Sequence, residues 1–271
     1  MSSDGGRPVR VGTVVGCGVT PLKGAAHAHP DRVVVRRDEV LGDRRWAFVE
    51  QRRGDLRVMR TVEVPAIMTV RAQIDDAGGL RIDLPDGLVF LVDNPDGPAV
   101  PADYWGRRVA VRPASGPWNA ALSSVLGREV ELVAVERAGG VVYAEPVSVV
   151  TTSSLREAAR RAGLSSLDEE RFRSTVVVDT GGLPPFIEES WVGGRLRVGR
   201  VDLLVRRQLA RCAVIAFEPG SGQTSGPDLL RLLAADRSTA SGIVFGVGAD
   251  VDVPGEITVG AAVHLLGHGS G

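Results

Sequence analysis

The chain has 271 residues, 44% of them apolar and 24% charged, and a net charge of −1. This length calls for two domains or one large β-rich domain, with a composition ordinary for a globular protein. Near-neutral charge excludes a broad nucleic-acid or acidic-membrane surface, two cysteines exclude a disulfide framework, and no apolar run approaches the ~18 residues of a membrane span.

Residues 1–8 read as a flexible tail. Residues 1–10 lack the apolar stretch of a signal peptide, which implies a cytoplasmic protein. From Val11 to about Pro113 the pattern is short apolar runs punctuated by Gly, Pro and Asp. It predicts strands at 11–15, 32–36, 46–51, 56–59, 67–74, 80–84, 88–92 and 108–111, the spacing of a barrel or sandwich. Trp118, Leu122, Val125 and Leu126 share one helical face before Gly127, predicting a helix over 118–126.

A strand is predicted at 129–136, and 146–152 reads as an extended approach to a second helix. A helix over 155–162 follows, with Ser154-x-x-Glu157 as its capping box. After a helical turn at 167–171 come strands at 175–179, 195–206 and 212–217. A helix over 228–235 and strands at 243–253 and 257–266 complete the pattern. Gly246 and Gly248 inside a strand signal a bulge or a close backbone approach. The fold class is mainly β with a few helices, divided near residues 113–140.

The chemistry-bearing residues are few. His27/His29 and His264/His268 lack a Cys or carboxylate at zinc-site spacing and read as solvated histidines of a loop and the tail. Gly181-Gly182, Gly193-Gly194 and Gly220-Ser221-Gly222 match no phosphate-loop fingerprint, and no Gly-x-Ser-x-Gly elbow is present. Lys23 is the single lysine among 32 basic residues, so a compact ammonium is singled out at that position. Cys212 follows Arg211, with Arg206 and Arg207 nearby. Neighbouring guanidinium groups favour the thiolate, the form that attacks carbon or binds metal.

Taken together, Pro21-Leu22-Lys23, Gly42-Asp43-Arg44-Arg45-Trp46, Arg171-Phe172-Arg173, Pro185-Phe186-x-Glu188-Glu189-Ser190-Trp191, Arg211-Cys212 and Phe245-Gly246 resemble MOSC-domain proteins. The likeness is to the two-part type of the mitochondrial amidoxime-reducing component and its bacterial relatives. That resemblance implies an N-terminal MOSC-type β-barrel domain over 9–136 and a MOSC β-barrel domain over 137–271. It implies a molybdenum–pterin cofactor with Cys212 as the metal ligand and Arg211 beside it in catalysis. The cofactor-binding positions would be Lys23, Gly24, Arg44, Arg45, Thr152, Ser153, Arg173, Thr175, Ala210 and Arg211.

The implied activity is reduction of an N-hydroxylated small molecule. Electrons would come from a separate ferredoxin- or flavin-type reductase, with no nucleic-acid or membrane partner. Gly24 and Ala210 stand where the resemblance expects serine, and Ser174-Thr175 where it expects Pro-Asn. They motivate an alternative, a cofactor-free descendant with another reaction. A further alternative is a persulfide carrier using Cys212.

Overall fold

The computed structural model describes residues 7–75, 77–224 and 226–268; the tail expected over 1–8 lies mostly outside the described residues. The early elements are β1 (Val9–Cys17), β2 (Arg32–Arg36), β3 (Glu39–Val40), β4 (Trp46–Arg52) and β5 (Asp55–Val58). They are followed by β6 (Arg71–Ile74), β7 (Leu80–Asp83), β8 (Val89–Val92), β9 (Val100–Tyr104), β10 (Arg107–Ala114), α1 (Trp118–Leu126) and β11 (Glu131–Val135). The later half runs β12 (Val147–Thr151), α2 (Thr152–Arg161), β13 (Val176–Asp179), β14 (Gly194–Val198), β15 (Val201–Ala210) and α3 (Leu229–Arg237). It ends in β16 (Ser238–Thr239), β17 (Gly242–Val253), β18 (Gly255–Thr258) and β19 (Ala262–His268).

Two closed barrels result. The first runs β10-β11-β4-β5-β9, with β9 returning to β10. The second runs β12-β13-β1-β19-β14-β15-β17, and an added pairing of β12 with β17 joins its ends. Its interior is a valine core. Val147 and Val149 of β12 point into it, whereas Val150 packs with the α2 and α3 residues Leu155, Ala158, Leu229 and Leu233. Successive strand side chains face opposite sides, so one valine-rich run supplies both the barrel interior and a seat for the helices. Phe245 of β17 likewise faces outward, while Val247, Ala249 and Val251 face in.

Several expectations need correction. The strand pairing is not divided at residue 136: β1 lies between β13 and β19 in the second barrel, and β2 pairs with β18. Local pattern identifies a strand but not its partner, and here the partners are more than a hundred residues away. The single strand predicted at 195–206 is a hairpin, β14 and β15, turning through Gly199. The strand predicted at 212–217 is instead a 3₁₀ turn, Ala213–Ala216, that buries Ile215 against Phe172 and Phe245.

Pro65 opens a 3₁₀ turn, Pro65–Thr69, so the strand expected from 67 begins only at Arg71. β9 went unpredicted because Pro101 interrupts its run, and the proline is tolerated facing Ala110. Helix α2 starts three residues early, with Thr151 as its cap instead of Ser154. Gly246 is in the left-handed region (φ 72°), and a Cβ there would meet the Val149 carbonyl at 2.7 Å. The expected close approach in that strand is therefore present. No helix among the described residues is long and apolar enough to cross a membrane.

Candidate functional site

The first-half contribution is a pair of loops zipped side by side. Arg44 N–H donates to Thr20 O at 2.8 Å, Trp46 N–H to Pro21 O at 3.1 Å and Lys23 N–H to Trp46 O at 2.8 Å. Thr20 N–H also donates to the Asp43 carboxylate at 2.8 Å. These bonds hold Lys23 and Arg44 next to each other, although the two motifs are twenty residues apart in the chain. Arg44 has a left-handed backbone (φ 49°) and pairs with Asp43.

The second-half contribution is Arg173 and Arg211. Arg173 (φ 48°) ends the 3₁₀ turn Glu169–Phe172 and turns back on the Lys23 loop. Its guanidinium donates to Gly24 O at 3.0 Å and to Ala25 O at 2.6 Å. Arg211 leaves β15 with its N–H on Ile243 O at 2.7 Å. Its Nε donates to Phe245 O and its Nη1 to Phe172 O, both at 2.8 Å. The Phe172 and Phe245 rings stack at 4.1 Å under this guanidinium. Its Nη2 is buried with no hydrogen-bond partner.

The electrostatics show these groups to be one cluster. Burial, then the charges of Arg44 and Arg173, lowers the Lys23 ammonium to about 8. Burial and the Arg44 charge pull Arg173 down to about 10, and the same two causes bring Arg211 to about 10. Lys23, Tyr104, Arg173 and Arg211 all lie within electrostatic reach of Cys212. Among the described residues Lys23 forms no ion pair; its Nζ lies over the Tyr104 ring, 5.1 Å from the centroid. Several cations thus surround one exposed thiol, Cys212, without enough carboxylate to balance them. Such a cluster is set up to take an anion.

The other predicted positions fare differently. Arg45 pairs with Glu39 at 3.8 Å. Thr152 donates to Asp179 at 2.7 Å, Ser153 bonds Thr151, Thr180 and Pro184 O, and Thr175 bonds Ser148. These hydroxyls are engaged with other groups of the protein. Ala210 is the last residue of β15, beside Gly242. Gly24 has φ 88°, and a Cβ there would meet Thr61 Oγ1 at 2.5 Å. The glycine in place of the serine that the resemblance expects is therefore a packing requirement.

His27 is buried rather than solvated, between Thr20 Oγ1 (2.8 Å) and Ser174 O (3.2 Å). A carbonyl only accepts, so Nε2 carries the proton and Nδ1 accepts from Thr20. Burial and the Arg173 charge hold His27 well below its usual value, hence neutral. His264 lies in β19 opposite Arg10 and Arg197, not in a tail. Cys17 is buried, and burial raises its thiol to about 11.

Sequence reasoning missed Arg60 and Tyr104, which carry no motif and reach the cluster only through the fold. It also left Glu188 without a role. That carboxylate is fully buried and accepts from Thr151 Oγ1 and Ser154 Oγ, both at 2.8 Å. The signal available was a Glu-Glu pair following Pro184-Pro185.

Among the described residues no three His, Cys, Asp or Glu side chains gather as a metal site. A metal at Cys212 would therefore take its other ligands from a cofactor. The residues present suit such a group: an exposed thiol, an unbalanced cationic cluster and an orphaned guanidinium N–H at Arg211. Clefts of about 600 and 520 Å³ elsewhere on the surface are lined by none of the predicted site residues.

Residues 133–264 match the family model of the MOSC domain. Among solved structures, the chain is similar to the YuaD protein of Bacillus subtilis at 12% identity and TM-score 0.47, covering 96% of this chain and 98% of that one. It is similar to YiiM of Geobacillus stearothermophilus at 18% identity and TM-score 0.33, covering 47% and 57%. None of the curated proteins matches it.

Proposed function

With residues 133–264 forming a MOSC domain, we propose that the chain binds a molybdenum–pterin cofactor and reduces an N-hydroxylated small molecule. One observation carries this reading. Lys23, Arg44, Arg173 and Arg211 converge from both barrels on Cys212, and they leave a net positive, partly orphaned donor set. Lys23 and Arg173 would hold the anionic end of the cofactor. Arg211 would take an acceptor on Nη2, and the Cys212 thiolate would ligate the metal, soft sulfur being suited to it. The bound group would supply the redox chemistry, while the chain supplies position and field.

The substrate would enter where Cys212 is open to solvent. A separate reductase would return the electrons, because the chain has too few cysteines for an iron–sulfur cluster.

A second reading, a cofactor-free descendant with another reaction, is favoured by the engagement of Thr152, Ser153 and Thr175 with protein partners. A persulfide on exposed Cys212 is its nearest variant.

Protein purified from a host that makes the cofactor tests the choice. Stoichiometric molybdenum, lost in Cys212→Ser, and reduction of an N-hydroxylated amidine by a reduced viologen are expected. Metal-free protein that acts without Cys212 would overturn the proposal in favour of the descendant. An added sulfur on Cys212 by mass spectrometry, without molybdenum, would point to the carrier.

A further inference from the structure

Trp105 has a placement that the cationic cluster alone does not explain. It is 52% exposed although large and apolar, and its backbone is left-handed (φ 57°). A bulky residue in that region is strained, and such strain concentrates at binding sites. The turn is fixed by Gly106 N–H donating to Asp103 at 3.0 Å. One side of the indole is backed by the Arg60 guanidinium, 4.6 Å from the ring centroid, and Arg60 is itself anchored to Glu63. Tyr143, 70% exposed, stands 6.2 Å away at a 60° tilt.

This rim connects directly to the cluster. The neighbouring Tyr104 ring carries the Lys23 ammonium at 5.1 Å and the Arg107 guanidinium at 5.0 Å. Arg60, which lies over Trp105, is also one of the cations whose charge acts on Lys23, so the indole and the cluster share a neighbour. A rigid, half-open indole beside a cationic hollow has the makings of a stacking surface, since ring stacking depends on an available π face and little else.

We propose that Trp105, backed by Arg60 and flanked by Tyr143, stacks the planar aromatic ring of a substrate whose reacting end lies at the Cys212 cluster. This rests on the reading of that cluster as the reaction site. It selects aryl over alkyl substrates through a residue outside the cofactor positions.

Metal-free protein titrated with phenyl phosphate and methyl phosphate tests it, with isothermal titration calorimetry as the readout for parent and variant alike. Phenyl phosphate should bind about tenfold tighter than methyl phosphate or better, the scale of one stacked ring. Trp105→Gly, which also relieves the strained backbone, should erase that preference and leave methyl phosphate binding unchanged. Its molybdenum content should equal that of the parent protein.

A preference that survives Trp105→Gly, or one absent from the parent protein while methyl phosphate still binds, overturns the platform alone. Molybdenum lost from the variant overturns its assignment to the substrate. If neither phosphate binds the parent protein, both the platform and the anion-binding reading fall.

Discussion

Lys23 is the residue whose titration bears most directly on the site. Its ammonium lies among cations, and burial with their repulsion lowers it to about 8. In the free folded protein it binds fewer protons than the unfolded chain between about 8 and 10.5, so its charge opposes folding at neutral pH and the penalty fades as pH rises. A bound anion reverses that balance. Sulfate, whose charge is constant across this range, is therefore expected to bind about tenfold more weakly at pH 9 than at pH 7, by the fraction of Lys23 still protonated. Isothermal titration of the metal-free protein measures this; Lys23→Met should bind weakly at both pH values, and a flat profile in the parent protein would remove Lys23 from the site.

The two cysteines separate just as sharply. Cys17 sits in the valine core with its thiol raised to about 11, whereas Cys212 is exposed. Native protein should take one iodoacetamide label, at Cys212, and a second only on unfolding. Two labels on the folded chain would contradict the burial of Cys17.

At the scale of elements, the site depends on ends and turns rather than on strand interiors. The start of α2 is held by Thr151, which accepts from Ser154 N–H at 3.3 Å and donates to buried Glu188 at 2.8 Å. Thr151→Val keeps the shape and removes both bonds. It should lower stability by about 2 kcal/mol, combining a lost cap with a buried carboxylate left with Ser154 as its one remaining donor of the two. Urea unfolding reads this, and an unchanged midpoint would mean Glu188 finds another donor.

Gly24 makes the opposite point. Placing there the serine that the resemblance expects forces a side chain into φ 88° and against Thr61. Gly24→Ser should therefore cost about 1–3 kcal/mol, by the same measurement, rather than improve the site. A variant as stable as the parent would show that the loop has room to shift.

Across the whole molecule, two barrels meet at the Lys23 loop. Arg173 is the tie, with one guanidinium on two carbonyls of that loop. A lysine there keeps the charge but not the fork. Arg173→Lys should weaken sulfate binding and lower thermal stability together, since one side chain serves both. Loss of binding at unchanged stability would show that the loop is held without it.

The N-terminal strand strengthens the same union by joining the second barrel between β13 and β19. The chain thus leaves one barrel, builds the other, and returns. The cluster forms at the crossing.

Much of this was legible in the chain. Alternating apolar runs, the helix ending at Gly127 and the close approach at Gly246 follow from side-chain period and backbone sterics, which act within a few residues. Lys23 stands out as the single lysine and Cys212 by its arginine neighbours, whereas Arg44 and Arg173 are singled out only through the family resemblance of their motifs.

Which of them meet is another matter. Arg45 turns to Glu39, and Thr152, Ser153 and Thr175 bond other protein side chains, while Arg60 and Tyr104 join without any motif. Strand partners, loop zippering and shared electrostatic fields are set by contacts between residues distant in sequence. Only the folded chain brings those contacts into being.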